Sequence, residues 1–307
     1  MKTTYISIDW GGTHLKGAII KENIIKKEFN LPAGNLKIIS DEELLNICKQ
    51  IIDLIKNYNE SNIIMLIGAA GVSNDITSNR LIKIINSLTN SFEKIIVYPD
   101  YLCNHVALLN GNDGIISING TGSILFGVNE AKMIRQGGWG YVFDETPSGG
   151  YFGKKYLEAV LIGLDGDYKY SYYVNDFKLN NGFVNREEIL NQVYFASSIQ
   201  QYLGNYAINF INAYNKKDNY AIKTINDSVE LLSKSILDLT IKLNLSNPKF
   251  CGSGGLWDNW IDFKPLVDNS CKNRGIKLDW QEKTNPLTLG PFLCYKYQHC
   301  FIQQINT

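Results

Sequence analysis

Residues 5–20, YISIDWGGTHLKGAII, constrain the fold more than any other stretch of this chain. An apolar run ends at Asp9, two glycines and a threonine follow, and a second apolar run begins, which is typical of a β-hairpin. Gly11 and Gly12 are predicted to adopt positive φ and to let the backbone approach a ligand closely. Thr13 would add a hydroxyl donor, and Asp9 would project towards bound Mg²⁺ through water. The alternative is an ordinary glycine hairpin with a structural aspartate.

Length and charge narrow the class of protein. A chain of 307 residues is long enough for two domains with their own cores. Thirty basic and thirty acidic residues give a net charge of zero, so no broad field attracts nucleic acid or an anionic membrane. The N-terminus lacks the pattern of a secretory signal, and no apolar run approaches 18 residues, which favours a cytoplasmic enzyme.

The cysteines and histidines do not suggest a metal site. The six cysteines include no CxxC motif and no cluster with zinc spacing, so most are expected to be buried apolar thiols. The three histidines are scattered along the chain. His14 follows the glycine turn and is expected either to contact a ligand or to face solvent.

Strand patterns alternate with helical patterns over the first half of the chain, which predicts an α/β fold. A helix is predicted to begin after Ser40, where Ser40 and Glu43 form a capping box. After about residue 150 the pattern is mainly helical, and the polar, aromatic segment 165–183 is interpreted as a connection between helices. Strand patterns return only at PKFCGSGG and GIKLDW.

A second strand-turn-strand pattern, similar to the first, occurs near the middle of the chain. GIISINGTGSILFGV contains a strand, the turn from Asn119 to Ser123, and a second strand. Two such hairpins imply two similar subdomains, each presenting a glycine turn to a shared cleft. A third glycine turn, CGSGGLW at 251–257, follows an apolar strand and precedes a predicted helix, so that its N–H groups would point at a ligand.

This ordered set of motifs resembles the superfamily of actin, hexokinase and the heat-shock ATPases. Within it, the chain is most similar to N-acetylglucosamine kinases and the related BadF/BadG/BcrA/BcrD ATPase family. The motifs that carry the resemblance are DWGGTHLKGAI, IGAAGVSND, VYPDYLCNHVAL, ISINGTGS, GGWGYVFDE, FCGSGGLWD and NPLTLGPFLCYKY. The resemblance implies a two-lobed actin-like ATPase (ribonuclease H-like) fold with a central nucleotide cleft. It places an N-terminal domain at 1–105 with a C-terminal helix at about 286–307, and a second domain with a helical insertion at 106–285.

The resemblance also implies an ATP site and a catalytic base. Asp9 would steer Mg²⁺, and Asp100 would accept the proton of the attacking hydroxyl, although an aspartate at a helix start also commonly serves as an N-cap. Two turns would hold the phosphates and a third would border the nucleotide. The residues of these turns are Gly11, Gly12, Thr13, Gly120, Thr121, Gly122, Ser123, Gly252, Ser253, Gly254 and Gly255.

The sugar would lie against the GGWG loop, residues 137–140. There, Gly138, Trp139 and Gly140 would contact the hexosamine, unless Trp139 is a core anchor. The family usually reads Gly-Asp-Glu-Gly-Ser after this loop, whereas this chain reads DETPSGG, so the sugar-binding aspartate corresponds to Asp144 with a gap or to Glu145 without one. Pro147 removes a backbone donor from this loop. Asn35, in LPAGN, matches a sugar-contacting asparagine of the family or is a plain turn residue.

The resemblance therefore predicts ATP- and Mg²⁺-dependent phosphorylation of the 6-hydroxyl of an amino sugar, most closely N-acetylglucosamine, by a homodimer. One alternative is an ATPase that activates an iron–sulfur enzyme, which would need cysteines shared between subunits; no glycine-flanked cysteine pair matches that role. Another is a sensor that kept the fold and lost turnover. GGYFGKK at 149–155 lacks the P-loop spacing and is interpreted as the entrance to a helix, and no GxGxxG follows the first strand, which disfavours a dinucleotide oxidoreductase.

Overall fold

A computed structural model describes residues 3–58, 62–72, 74–130, 132–182 and 184–297. The chain divides into two compact units. Unit 1 comprises residues 1–113 and 281–307, and unit 2 comprises residues 114–280. The sequence motifs suggest boundaries at 105/106 and 285/286.

The described residues contain ten β-strands. In chain order they are β1 (Thr4–Trp10), β2 (His14–Lys21), β3 (Ile24–Pro32), β4 (Ile63–Ala69), β5 (Lys94–Pro99), β6 (Gly114–Asn119), β7 (Ser123–Asn129), β8 (Lys132–Gly137), β9 (Lys249–Ser253) and β10 (Asp279–Trp280).

The same residues contain twelve α-helices. They are α1 (Asp41–Ile55), α2 (Asp75–Leu88), α3 (Asp100–Leu109), α4 (Gly149–Leu164), α5 (Ser171–Asn181), α6 (Arg186–Tyr194), α7 (Ile199–Gly204), α8 (Ala207–Asn215), α9 (Asn219–Lys242), α10 (Gly255–Asn259), α11 (Phe263–Asn273) and α12 (Gly290–Lys296). Short 3₁₀ turns lie at Lys56–Tyr58, Tyr168–Tyr170 and Leu287–Leu289.

Unit 1 is built on a five-stranded mixed sheet in the order β3-β2-β1-β4-β5. The first three strands are antiparallel neighbours, whereas β4 and β5 run parallel to β1. One face of the sheet packs against the apolar side of α1, and the other face packs against Phe292 of α12. The predicted capping box is confirmed, because the Ser40 hydroxyl accepts from Glu43 N and the Glu43 carboxylate accepts from Ser40 N. The parallel arrangement sends the carboxyl ends of β1, β4 and β5 to one edge of the sheet.

Unit 2 repeats this plan with the order β10-β9-β6-β7-β8. β6 and β7 form an antiparallel hairpin, and β9 pairs parallel to β6. The α/β fold is thus confirmed, with two mixed sheets and helices. Helices α4 to α9 supply a core rich in tyrosine, in which Tyr156 donates to Asp176 at 2.6 Å and Tyr173 donates to Asp218 at 2.5 Å. Buried phenols need such partners, which explains why acidic side chains accompany these aromatic residues.

Several elements were not anticipated from the sequence. β3 and β8 are edge strands, and β3 buries only Phe29, so the lysines and glutamate around it hide the strand pattern. α2 was also missed, although Leu81 and Ile85 lie on its buried side at helical spacing. The interpretation of 165–183 as a connection was wrong, because 171–181 forms α5, which buries Tyr173 and Phe177 one helical turn apart.

The expectation of buried thiols is confirmed for the five cysteines in the described ranges, which are free and buried: Cys48, Cys103, Cys251, Cys271 and Cys294. Burial raises the pKa of Cys48 and of Cys271 to about 12. Cys300 and His299 lie outside the described residues. Among the described helices, none combines the length and the apolar character that a membrane crossing requires.

Candidate functional site

Two aspartates of unit 1 lie at the same edge of its sheet. Asp9 is the penultimate residue of β1, and Asp100 follows directly after β5. The strand between them is β4, in which Gly68 is the register partner of both Asp9 and Tyr98. Because the three strands are parallel, their carboxyl ends bring the two carboxylates to neighbouring positions.

The two carboxylates interact electrostatically. Burial, followed by the charge of Asp100, raises the pKa of Asp9 to about 7, and Lys16 opposes this rise. A carboxyl group with such a pKa is held in a setting that disfavours its charge. Perturbed acids of this kind are frequent at functional sites, although structural clusters also produce them.

Asp100 is the first residue of α3 and not its N-cap. Pro99 occupies the cap position and makes no side-chain cap bond, while Asp100 Oδ1 accepts from Tyr101 N at 2.9 Å. The N-cap alternative is therefore not supported. Helix α3 lies close against the sheet, since a Cβ on Gly68 would come within 2.8 Å of Cys103 Sγ. The absence of a side chain at Gly68 allows α3 to hold Asp100 at this edge.

The first glycine turn joins β1 to β2. Gly11 N donates to His14 O at 2.9 Å, and His14 Nδ1 lies 3.0 Å from Thr13 Oγ1. The prediction of positive φ at Gly11 and Gly12 was wrong, because neither residue is among those with positive φ. The turn closes with ordinary backbone angles. A Cβ on Gly12 would meet no heavy atom within 4 Å, so packing does not require glycine there.

Asn35 belongs to a turn that leads towards α1. Its Oδ1 accepts from Lys37 N at 3.0 Å, which is an Asx turn, and its carbonyl accepts from Ile38 N and Ile39 N. A Cβ on Gly71 would lie 2.2 Å from the same Oδ1. The side chain of Asn35 thus has a turn-forming role in unit 1.

The second glycine turn, in unit 2, is organised around a buried asparagine. Asn119 is fully buried, and its Nδ2 donates to Ser123 Oγ at 3.0 Å and to Pro147 O at 2.7 Å. Its Oδ1 accepts from Ser117 Oγ at 2.5 Å and from Trp257 Nε1 at 2.6 Å. Ser123 is itself buried beneath the turn.

The tip of this turn is held by the start of α4. Gly149 N donates to Gly120 O at 2.7 Å, and Gly150 N donates to Thr121 O at 2.9 Å. A Cβ on Gly150 would lie 2.8 Å from Thr121 O, and one on Gly122 would lie 2.9 Å from Gln200 Nε2. As at Gly12, a Cβ on Gly120 would meet no heavy atom within 4 Å. GGYFGKK is confirmed as a helix entrance, with Ser148 as its N-cap.

The third glycine turn joins β9 to α10. Gly252 and Ser253 end β9, and the ring of Trp257 covers Gly252 so closely that a Cβ there would lie 2.3 Å from it. Gly254 has a φ of 101°, and a Cβ on it would lie 2.8 Å from the carbonyl of Asn119. Gly255 begins α10. The third turn therefore packs directly on the second.

The GGWG loop turns sharply and exposes its aromatic residue. Gly137, Gly138 and Gly140 all have positive φ, so glycine suits each position. Trp139 is 69% exposed, which excludes the core-anchor alternative in this structure. Arg135 Nη2 donates to Gly138 O at 3.0 Å. The loop leaves an apolar ring face open on the surface of unit 2.

Asp144 and Glu145 differ in their surroundings. Asp144 is 7% exposed, and its Oδ1 accepts from Thr146 N at 3.1 Å and from the Thr146 hydroxyl. Its Oδ2 is buried and has no hydrogen-bond partner among the described residues. Glu145 is exposed. One oxygen of Asp144 is thus held by Thr146, and the other has no hydrogen-bond partner among the described residues.

Four residues of these arrangements were not anticipated as site residues: Asn119, Thr146, Pro147 and Trp257. Pro147 was noted only for the donor it lacks, whereas its carbonyl accepts from the buried amide of Asn119. A signal for Asn119 did exist, because an asparagine at the end of an apolar strand requires partners. Two of its four partners lie 28 and 138 residues away, which local pattern does not reveal.

Comparison with known proteins identifies the family. The sequence model of the BadF/BadG/BcrA/BcrD ATPase family matches residues 6–286. The chain belongs to this family. A curated relative from Clostridium acetobutylicum, named N-acetylmuramic acid/N-acetylglucosamine kinase, is 27% identical over 267 residues, covering 83% of this chain and 85% of the relative.

Solved structures support the fold of this BadF/BadG/BcrA/BcrD family member. A protein from Porphyromonas gingivalis, provisionally assigned as an N-acetylglucosamine kinase, superposes with a TM-score of 0.70 at 16% identity, covering 97% of this chain and 99% of that one. A ROK family glucokinase from Streptomyces griseus, in complex with glucose and AMPPNP, superposes with a TM-score of 0.58 at 13% identity, covering 96% and 99%. The actin-like sugar kinase fold is therefore shared.

Proposed function

We propose that this protein is an ATP- and Mg²⁺-dependent kinase that phosphorylates the 6-hydroxyl of an amino sugar, N-acetylglucosamine. The observation that carries the proposal is the pair of carboxylates at one sheet edge, Asp9 and Asp100, whose interaction helps raise the pKa of Asp9 to about 7. The relative named as an N-acetylmuramic acid/N-acetylglucosamine kinase supports the substrate class.

Asp100 suits the role of the base. Phosphoryl transfer needs mainly in-line positioning and charge neutralisation, and a carboxylate orients the nucleophile and takes its proton. The sugar oxygen would bond to the γ-phosphorus while the bond to the β,γ-bridging oxygen breaks. The hydroxyl proton would pass to the Asp100 carboxylate, and ADP would leave. The position of Asp100 at the first residue of α3, at the sheet edge that also carries Asp9, is compatible with this role.

The residues present fit a divalent cation at Asp9. Burial and the charge of Asp100 both disfavour the ionised form of Asp9, and a cation beside it would offset both effects. No group of three or more His, Cys, Asp or Glu side chains within the described ranges is arranged to hold a metal. This agrees with Mg²⁺, which keeps several waters and takes one or two carboxylates plus substrate phosphates. When bound, Mg²⁺ would neutralise charge on the phosphates.

The glycine turns suit phosphate because neither packing nor backbone conformation requires glycine at two of their positions. Gly12 and Gly120 lack positive φ, and a Cβ on either would meet no heavy atom within 4 Å. Two structural reasons for a glycine, strain and crowding, are therefore absent at both positions. A third reason, close approach of a ligand to the backbone, remains for Gly12 with Gly11 and Thr13, and for Gly120 with Thr121 and Gly122.

The sugar would be recognised in unit 2 by the GGWG loop and Asp144. The exposed ring of Trp139 offers an apolar surface to sugar C–H groups, and Asp144 Oδ2 is a buried acceptor that a hydroxyl could satisfy. We assign the sugar contact to Asp144 in preference to the exposed Glu145. The border of the nucleotide is assigned to the third turn, Gly252 to Gly255. Asn35 remains a proposed sugar contact through atoms other than its turn-forming Oδ1.

The experiment is an ATP-dependent kinase assay on N-acetylglucosamine, N-acetylmuramic acid, N-acetylmannosamine, glucosamine and glucose. We expect N-acetylglucosamine to have the highest kcat/KM, and its 6-deoxy analogue to be inert while still inhibiting. Asp100→Asn should abolish turnover and leave ADP binding intact. The proposal fails if no sugar is phosphorylated, or if the 6-deoxy analogue is a substrate. A protein with bound iron would favour the activator ATPase. Light scattering tests the proposed homodimer.

A further inference from the structure

The side chain of Asn119 uses its whole hydrogen-bonding capacity within unit 2. A side-chain amide has two donors and an oxygen with two lone pairs. Nδ2 donates to Ser123 Oγ and Pro147 O, and Oδ1 accepts from Ser117 Oγ and Trp257 Nε1. Fully satisfied buried networks of this kind hold a single arrangement, because each broken bond leaves a polar group unpaired.

Chemistry fixes the orientation of this amide. An indole N–H can only donate, so the atom facing Trp257 must be the oxygen. The carbonyl of Pro147 can only accept, so the atom facing it must be the nitrogen. A flipped amide would place an N–H against the indole N–H of Trp257 and an oxygen against the carbonyl of Pro147. Neither Asp nor Leu, which have similar size, can satisfy these four partners.

Through these bonds, Asn119 joins three segments. They are the second glycine turn at 120–123, the loop at 144–150 that carries Asp144, and the third glycine turn at 252–257. Two backbone hydrogen bonds, Gly149 N to Gly120 O and Gly150 N to Thr121 O, link the same two segments as the Asn119–Pro147 bond. A shift of the second turn must therefore move the start of α4 and the residues just before it.

The loop passes such a shift on to Asp144. Pro147 is followed by Ser148, which caps α4, and preceded by Thr146, which binds Asp144 Oδ1 through its amide and hydroxyl. Only two residues lie between Pro147, whose carbonyl Asn119 holds, and Asp144, whose Oδ2 has no hydrogen-bond partner among the described residues. The aim of that oxygen thus depends on where Asn119 holds the loop.

We propose that Asn119 is a positioning residue that couples nucleotide binding at the second and third glycine turns to the order of the loop carrying Asp144. The inference rests on the proposed function, because it takes the turns as the nucleotide site. Coupling free energies are reciprocal, so a sugar bound at Asp144 would in turn tighten nucleotide binding.

Asn119→Asp is the diagnostic variant, since it keeps the shape and the acceptors but removes the two donors. A carboxylate oxygen would then face the carbonyl of Pro147, which would release the loop from the turn. Trp257→Phe is a second variant that keeps an aromatic ring beside Phe263 and removes the indole N–H. Asn129→Asp is the matched control, because Asn129 Nδ2 also donates to a backbone carbonyl, Leu243 O at 2.7 Å, at the far end of β7.

The readout is hydrogen exchange of the Thr146, Gly149 and Gly150 amides, with and without saturating MgADP. In the wild-type protein and in Asn129→Asp, we expect MgADP to slow exchange by at least about fivefold. In Asn119→Asp and Trp257→Phe, the response should be clearly smaller than in the wild-type protein although ADP is bound, as measured by calorimetry, since the backbone bonds of Gly149 and Gly150 still link the loop to the turn. If Asn119→Asp does not fold, Trp257→Phe decides the outcome.

Two results overturn the inference: no response to MgADP in the wild-type protein, or a response in both variants equal to that of the wild type. The readout needs no sugar, so it separates this inference from the proposed function. If the wild-type protein shows the response but phosphorylates no sugar, the coupling is supported and the proposed kinase activity is refuted. If the wild-type protein phosphorylates N-acetylglucosamine but both variants respond to MgADP as the wild type does, the kinase activity is supported and the coupling is refuted.

Discussion

The ionised carboxylate of Asp9 should lower the free energy of unfolding at neutral pH, and Asp9→Asn should restore it. The folded state holds a proton on Asp9 up to a pKa of about 7, whereas the unfolded chain releases it near the ordinary value of 3.8. Because the folded pKa is raised, this group stabilises the fold at low pH and that contribution is lost as pH rises from about 4 to 7. Asparagine carries no proton to lose, so the variant lacks this loss.

The size of the effect follows from the shift. The pKa is raised by about 3 units at about 1.4 kcal/mol each, which sets an upper limit of about 4 kcal/mol. Asp9 is half-buried, so solvent screening reduces the effect to about half, or about 2 kcal/mol. Two thirds of the window lies above pH 5. We therefore expect the stability of Asp9→Asn relative to wild type to rise by about 1.5 kcal/mol between pH 5 and pH 8.

The assay is urea unfolding with EDTA present at pH 5, 6, 7 and 8. Asp53→Asn is the control, because Asp53 is an exposed carboxylate on α1 of the same unit. Asp100→Asn removes the second cause of the shift and should flatten part of the pH dependence. A difference between wild type and Asp9→Asn that stays constant from pH 5 to 8, or falls, would refute the reasoning. The same variant should lose kinase activity, since asparagine replaces the carboxylate proposed to contact Mg²⁺.

Three further substitutions test the site. Gly12→Ala should change the free energy of unfolding by no more than about 0.5 kcal/mol and should weaken MgATP binding measured by calorimetry. Gly254→Ala should destabilise the protein by more than about 1 kcal/mol, because Gly254 has a φ of 101° and contacts the second turn. Equal stability of the two variants would contradict this. Asp100→Asn should lower kcat at least about 100-fold while the protein stays folded and still binds ADP, and a kcat near wild type would exclude the base role. Trp139→Ala should raise the KM for the sugar without altering the melting temperature, since the ring is exposed; an unchanged KM would remove Trp139 from the sugar site.

Local pattern predicted the parts of the fold that rest on near neighbours in the chain. Asp9 was proposed because an apolar run ends there, whereas Asp100 was proposed through the family resemblance of VYPDYLCNHVAL. The α1 capping box was predictable because it lies within four residues. β3 was missed because an edge strand buries little, and α5 was missed because its two buried aromatic residues stand among polar ones. The backbone angles of Gly11 and Gly12 were predicted wrongly, since glycine permits positive φ without requiring it.

The polar network in unit 2 lay beyond sequence reasoning for a different reason. Trp257 and Asn119 are 138 residues apart, and only the pairing of β9 with β6 brings them together. The proposed preference for Asp144 over Glu145 likewise rests on the structure, because burial and the Thr146 contacts distinguish two adjacent acids that the sequence motif does not.

The buried thiols make this protein convenient for single-site labelling. Maleimides react with thiolates that solvent can reach, because the thiolate is the nucleophile that adds to the maleimide double bond. The five described cysteines are buried, and the pKa of Cys48 and of Cys271 is raised to about 12. With Cys300→Ser as a precaution, cysteines introduced at exposed positions, Glu42→Cys in unit 1 and Glu187→Cys in unit 2, would be the reactive pair. Fluorophores attached there would report the distance between the two units in solution, by energy transfer, as nucleotide and sugar are added.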